Sequence, residues 1–379
     1  MRNYFQVKNA IKSKVYLADL RASIKRNLFD KLDTLLTKIE LKGRFSKGQL
    51  IAIKLHFGEK GNTSYIRPNF VRKVVERVKE SGAKPFLTDA NTLYVGQRGE
   101  SVSHLITAIE NGFDYAVAGA PLIIADGLRG ESAHKIQIEG RHFKEVSIGS
   151  EIVAADGIVV LTHFKCHEMT GFGGALKNIG MGCASREGKL AQHSNVAPIV
   201  DQSGCTGCES CYKWCPAGAI SVEGRKAFID AKICIGCGKC IIVCPEKTIH
   251  IQWDETTARL QEKTAEYVFG ALKGKEGRAV FINFITQVSP SCDCYGHTDA
   301  PIVPDIGILA SDDPVALDQA CADLVNMQEG IKNTALESGH EAGGDKFRGV
   351  HPEVDWEVQL VHAEKMGLGS RGYELIKVI

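Results

Sequence analysis

Thirteen cysteines are the residues of this 379-residue chain best suited to chemistry, and eight of them fall into one repeated pattern. Cys205, Cys208, Cys211 and Cys215 with Pro216 read C-x2-C-x2-C-x3-C-P, and Cys234, Cys237, Cys240 and Cys244 with Pro245 repeat it. Three thiolates two residues apart wrap one corner of a cubane, while the fourth, three residues on, points away to ligate the other cluster. The spacing therefore assigns one 4Fe-4S cluster to Cys205, Cys208, Cys211 and Cys244, and a second to Cys234, Cys237, Cys240 and Cys215. Structural zinc, the alternative, needs four ligands in two pairs and would not demand a third cysteine and a Cys-Pro ending twice over. Each repeat runs into an apolar strand-like segment, at 219–222 and at 248–251. Ile233, Ile235, Ile241, Ile242 and Val243 are expected to form an apolar shell that limits solvent access, with Trp214 packed into it.

A second group of reactive residues stands at the ends of apolar runs. His56 and Glu59 follow LIAIK, Asp89 and Asn91 close KPFLTDAN, and His163, Lys165, Cys166, His167 and Glu168 follow GIVVLT. Cys292 and Cys294 lie in SPSCDC, and Asp312 and Asp313 precede Pro314. Ligands of open α/β sheets sit outside the carboxyl ends of the strands, so these residues are expected to share one site. Lys165 and Lys177 would orient an anion there, and His163 or His167 would handle a proton. The glycine-rich segment that carries Lys177 and Cys183 lacks both the P-loop ending and the dinucleotide spacing. It reads either as an anion loop or as a tight backbone bend. His163, Cys166, His167, Cys183, Cys292 and Cys294 could form a third metal site, set against polar or packing roles for the same residues. His56 reads equally as a site residue or a satisfied buried histidine, and Asp312-Asp313 as a helix cap with Asp312 free for function.

Positioning these residues requires a frame. Leu28, Leu32, Leu35, Leu36 and Ile39 recur at helical spacing, and a second helix starts near Pro68 with Val71, Val74, Val75 and Val78 on one face. Further helices are expected near 103–111, from about 256 to 273, and after Pro314 with Leu317, Ala320, Leu324 and Met327 turned inward. Strands are expected from about 157 to 162 and 305 to 310, and around 121–125 and 135–139. The stretch 333–353 reads as irregular and 354–361 as a last strand. Alternating strands and helices imply an α/β fold, a mostly parallel sheet with helices on both faces. A small α+β ferredoxin-like domain at 200–252 interrupts it, leaving host parts at 1–199 and 253–379.

Composition narrows the function classes. A net charge of +1 argues against a broad nucleic-acid footprint. No apolar run is long enough for a membrane span and the first residues lack a secretory pattern, so a cytoplasmic protein is expected, its cysteines used for metal.

The motifs LHFGE, TDANTLY, ADGL, HFKCHEMTGFGGALKNIGMG, SPSCDC and PIVPDIGILASDDPVALDQA, with the two cysteine repeats between them, make the chain resemble the uncharacterised Fe-S center proteins. The resemblance runs from about residue 50 to 325. It implies a two-cluster module within an α/β host, typical of anaerobic or microaerobic bacteria and archaea, and supplies no substrate. Three functions follow as expectations. The first is an iron-sulfur oxidoreductase passing electrons between a ferredoxin-like partner and an anionic ligand. The second is an electron carrier without its own substrate. The third is a metabolite-binding or sensing module with structural clusters.

Overall fold

The computed structural model describes residues 12–94, 96–194 and 196–378. Eight strands form the central sheet: β1 (Ser13–Asp19), β2 (Leu50–Lys54), β3 (Lys84–Asp89), β4 (Leu122–Ile124), β5 (Gly157–His163), β6 (Ala279–Ile285), β7 (Gly307–Ser311) and β8 (Tyr373–Lys377). Their order is β8-β1-β7-β6-β5-β2-β3-β4. Only β7 runs against its neighbours in this sheet; all other pairings are parallel. Such strands are covered on both faces and read as continuous apolar runs, as β5 does with every residue buried.

Helices cover the two faces. On one side lie α1 (Leu28–Lys38), α2 (Pro68–Lys79) and α3 (Ser101–Glu110), packed on Ile51, Ile53, Val159 and Leu161. The other side receives α4 (Ala175–Gly180), α6 (Thr257–Leu272), α7 (Pro314–Asn326) and α8 (Glu357–Lys365), packed around Ala52, Ile158, Val160 and Phe281, with α5 (Arg186–His193) set against α6. The period-two alternation of β2 and β5 thus feeds two separate cores. Local signals set the helix starts: Asn27 and Asp30 make a reciprocal capping box on α1, Pro68 stands in the first turn of α2, and Asp313 caps α7.

Between α5 and α6 the chain leaves this sheet. Residues 199–251 build two two-stranded sheets and two short helices, Ser210–Lys213 and Lys239–Val243, around a small core of Cys211, Ile220, Ala227, Ile241 and Ile249. Leu93 and Leu190 of the host reach into that core. Ile241 is buried as expected of a shell residue, but Ile233 and Ile235 are exposed. Trp214 is half exposed, with the Arg129 guanidinium and the Lys239 ammonium each 5.0 Å from its ring centroid, so it bridges insert and host instead of packing inside.

Two expectations are corrected, one expected strand lies outside the central sheet, and one strand was not foreseen. The stretch 354–361 is not a strand: Trp356, Gln359, Leu360 and Ala363 are buried at helical spacing and form one face of α8, while the last strand is β8. Met327 ends α7 and is exposed. Residues Ala133–Gln137 pair with Glu145–Gly149 in a hairpin outside the central sheet. Finally, β1 was not expected, because its polar and half-buried residues give no clear alternation.

Candidate functional site

A cavity of about 540 Å³ opens at the carboxyl ends of β2, β3 and β5 and against the loop after β6. The chain runs from β2 outward to β3 and β4, then returns to β5 on the other side of β2. That reversal leaves a crevice between β2 and β5, the place where such sheets hold ligands. Lys54 ends β2, His56 and Asp89 follow from β2 and β3, and Lys165 and His167 leave β5, so one edge gathers residues distant in sequence.

The wall is cationic. Lys54, Arg98, Lys165, Lys177 and Lys189 all line it. Three of these are matched: Lys54 pairs with Asp89 at 3.0 Å, Arg98 with Asp89 and Glu59 at 3.3 Å each, and Lys165 with Asp293 at 2.9 Å. Burial would raise the Asp89 carboxyl, but Lys54, His56, His104 and Arg98 outweigh it and hold it below the usual range. Lys177 and Lys189 make no ion pair with a carboxylate among the described residues. Burial lowers the Lys189 ammonium to about 8. It also pulls on Lys177, but the Cys292 and Cys294 sulfurs overcome that pull and raise it. His56 and His193 are both lowered by burial, His193 to about 3, so both rings enter the site neutral near pH 7. Trp253 stands edge-on to His193 at 4.8 Å and closes the side nearest the insert.

Cys292 and Cys294 flank a buried anchor. Between them Asp293 accepts from His163 Nδ1 at 2.9 Å, Lys165 Nζ at 2.9 Å and Ser64 Oγ at 3.0 Å. With its middle residue held on one side, the Cys-Asp-Cys segment turns both sulfurs to the cavity, which they line. Cys292 Sγ accepts the Cys294 backbone N–H at 3.4 Å and lies 3.6 Å from Lys177 Nζ. The Cys294 thiol hydrogen-bonds to it, and with Lys177 and His167 nearby the Cys292 thiol falls well below its ordinary value while Cys294 rises.

The structure divides the expected site residues. His56, Asp89, Lys165, His167, Lys177, Cys292 and Cys294 line the cavity. His163 does not: its Nδ1 holds Asp293 and its Nε2 the Thr286 carbonyl at 2.8 Å, so it positions the Cys-Asp-Cys segment and has no free nitrogen for a substrate proton. Cys166 and Cys183 are buried in the apolar core, where burial pushes the Cys183 thiol up to about 11. Asp312 is on the far side with Arg44, 3.0 Å away. Among the described residues no three His, Cys, Asp or Glu side chains are grouped to hold a single metal ion.

The glycine-rich segment also resolves. The first amides of α4, at Ala175 and Leu176, donate to Asp318 of α7 at 2.7 and 2.9 Å, so a buried carboxylate already occupies the anion position. A Cβ at Gly174 would stand 2.4 Å from Asp318, and one at Gly180 would meet the Thr264 carbonyl of α6 at 2.3 Å. These glycines serve close packing, and side chains supply the cavity's charge. Lys54, Arg98, Lys189, His193, Trp253 and Asp293 were not expected from sequence. Lys54 carried a signal, a lysine inside an apolar strand run; the others sit in loops and on a short helix that show none.

In the insert, Cys205, Cys208, Cys211 and Cys244 surround one small cavity, and Cys215, Cys234, Cys237 and Cys240 surround another. The two loops share a backbone, with positive φ at Gly207 and Glu209 in one and at Gly236 and Gly238 in the other. Backbone N–H groups of Ala219 and Ala227 point at Cys215 and Cys205 sulfurs, at 3.3 and 3.4 Å. Quartets that surround a volume, with amides aimed at their sulfurs, fit a four-iron cubane. A Cβ on Gly238 would meet Arg186 at 3.3 Å and Leu93 at 3.5 Å, so the second loop lies directly on the host.

The profile of a family described as a domain of unknown function (DUF362) matches residues 51–323. The chain belongs to the DUF362 family. The match spans the cavity residues named above and the insert between them. No curated protein matches this DUF362 chain. Among solved structures it is similar to the lactate racemase apoprotein from Thermoanaerobacterium thermosaccharolyticum, at 14% identity and a TM-score of 0.38, covering 73% of this chain and 51% of that one. A Thermotoga maritima protein matches at 10% identity and a TM-score of 0.40, covering 77% of this chain and 58% of that one. The chain thus spans less than two thirds of either structure's length. No helix among the described residues is long and apolar enough to cross a membrane.

Proposed function

We propose that this chain is a cytoplasmic iron-sulfur oxidoreductase. It holds two 4Fe-4S clusters in a ferredoxin-type insert and passes single electrons between a ferredoxin-like partner and an anionic ligand in the strand-exit cavity. The observation that carries this reading is a shared wall: Leu93 lines the cavity and also belongs to the core of the cysteine-rich insert. Cys205, Cys208, Cys211 and Cys244 would hold one cluster, and Cys234, Cys237, Cys240 and Cys215 the other. Bound there, such clusters supply one electron each at a potential that hydrogen bonds and solvent exposure tune. Cys208 is the exposed member of its quartet, which leaves that side open to a redox partner.

The host residues bind and orient. Lys177 and Lys189 attract the anion, while Lys54, Arg98 and Lys165 are held rigid by buried carboxylates and shape the wall. His167 accepts the Met169 N–H at Nδ1, 3.1 Å away, so its Nε2 carries the ring proton towards the cavity. Trp253 and Leu93 exclude water on the insert side.

Anaerobically purified protein is expected to contain eight iron and eight acid-labile sulfide per chain, with paramagnetic resonance signals from two interacting reduced clusters. Zinc in place of iron would overturn the reading. Intact cluster-dependent activity in a variant carrying both His167→Ala and Lys177→Ala would reduce it to an electron carrier.

A further inference from the structure

We infer that Cys292 and Cys294 are a dithiol–disulfide couple facing the cavity, and that the ligand it serves is a small anionic disulfide. The inference rests on the oxidoreductase reading for its supply of electrons, and on the host domain alone for its chemistry. Three observations carry it. Both sulfurs line one cavity, and a single intervening residue, Asp293, is anchored away from them by three buried partners. Two donors converge on Cys292, the Lys177 ammonium at 3.6 Å and the Cys294 backbone N–H at 3.4 Å, as a thiolate requires. The same cavity carries Lys177 and Lys189 without carboxylate partners among the described residues, which selects an anion over a neutral molecule. The other thiols of the host, Cys166, Cys183 and Cys321, are buried in the apolar core.

The exchange balances. The Cys292 thiolate bonds to one sulfur of the bound disulfide, the ligand's S–S bond breaks, and one half departs as a thiolate beside Lys177 and Lys189, with His167 Nε2 as a hydrogen-bond donor. Cys294 then loses its proton to the departed thiolate and attacks Cys292, forming the internal disulfide and releasing the second half, which takes up a proton from solvent. A low-potential one-electron donor, acting twice, returns the couple to the dithiol with the uptake of protons. The leaving halves are negatively charged, and Lys177 and Lys189 stabilise that charge as it forms.

The test uses iron-loaded protein, with 5,5′-dithiobis(2-nitrobenzoate) as the anionic probe and 2-hydroxyethyl disulfide as the neutral one. The wild type is expected to release two equivalents of thionitrobenzoate, and peptide mass mapping after alkylation should then show a Cys292–Cys294 disulfide. Cys294→Ser should release one equivalent and retain the other half on Cys292, and Cys292→Ser should retain none. Lys177→Met should lower the preference for the anionic probe at least tenfold. Separately alkylated Cys292 and Cys294 in the reacted wild type, or equal rates for the two probes, would overturn the inference. A reductive titration of the oxidised protein separates the two readings. Two electrons beyond those taken up in Cys292→Ser support both. A disulfide that forms but takes up no electrons from dithionite keeps the couple and sinks the electron-transfer reading.

Discussion

Single residues set the charge of the cavity, and they do so against the cost of burying it. Asp89, Glu59 and Asp293 neutralise three of the five cationic wall residues, because a buried charge persists only when paired. Lys177 and Lys189 are left to meet a ligand. Replacing Lys177 with methionine is expected to weaken binding of phosphate, used as a probe anion, about 10- to 100-fold, the worth of one charged hydrogen bond. Calorimetric titration checks this. The Lys189 ammonium loses its proton at about pH 8, below the usual lysine range. Its charge is therefore nearly complete at pH 7, half lost at about pH 8 and nearly gone at pH 9. Anion affinity should fall as pH rises from 7 to 9, and Lys189→Met should flatten that limb; a limb unchanged in the variant would assign it to another group.

At the scale of elements, the cavity depends on how α4 is held. This helix is a turn and a half long, too short to be stable alone, and it carries both Lys177 and Asn178. Asp318, projecting from α7, receives two of its amides and the Asn283 side chain at 2.7 Å, all buried. Burial raises the Asp318 carboxyl to about 6 despite these donors. Asp318→Ala leaves two buried amides without an acceptor and Asn283 Nδ2 with only the Cys321 sulfur, so a loss of about 3 kcal/mol is expected in denaturant unfolding, together with weaker anion binding. Gly174→Ala should have a similar effect by a different route, since its methyl would strike the same carboxylate.

For the whole molecule, the decisive feature is that the insert leaves and re-enters the host beside the cavity. The small core of the insert borrows Leu93 and Leu190, and Arg186 donates to the Thr92 carbonyl at 2.9 Å, fixing the loop that lies between insert and cavity. The two cysteine repeats are also interlocked, each quartet taking its last member from the other repeat. Cys244→Ala is therefore expected to disturb the site of Cys205, Cys208 and Cys211, although Cys244 belongs to the second repeat. Iron counts and paramagnetic resonance should show loss of the signal from that site first. A loss confined to the Cys234, Cys237 and Cys240 site would show that the repeats are not crossed.

How much was legible follows from the range of the forces involved. Short-range patterns needed no tertiary information: the cysteine spacing, the apolar runs of β2, β3 and β5, Pro68 in the first turn of α2 and the aspartate cap of α7 all express local geometry. The exits of β2, β3 and β5 were legible too, because parallel strands send their carboxyl ends to the same edge, whereas the reversed direction of β7, which carries Asp312 to the far side, was not. Stretch 354–361 failed because its alternating apolar residues fit a strand as well as a helix, and only the partners of Gln359 and Leu360 across the core decided for α8. Likewise His163 and His167 are alike in sequence, four residues apart at one strand exit. Which of them faces the cavity was decided by Asp293, 130 residues away, whose buried charge drew His163 and Lys165 to itself. Sequence by itself determined which residues could do chemistry and which edge would carry them; tertiary structure alone decided which charges are cancelled and which remain, because burial and pairing are properties of the assembled chain.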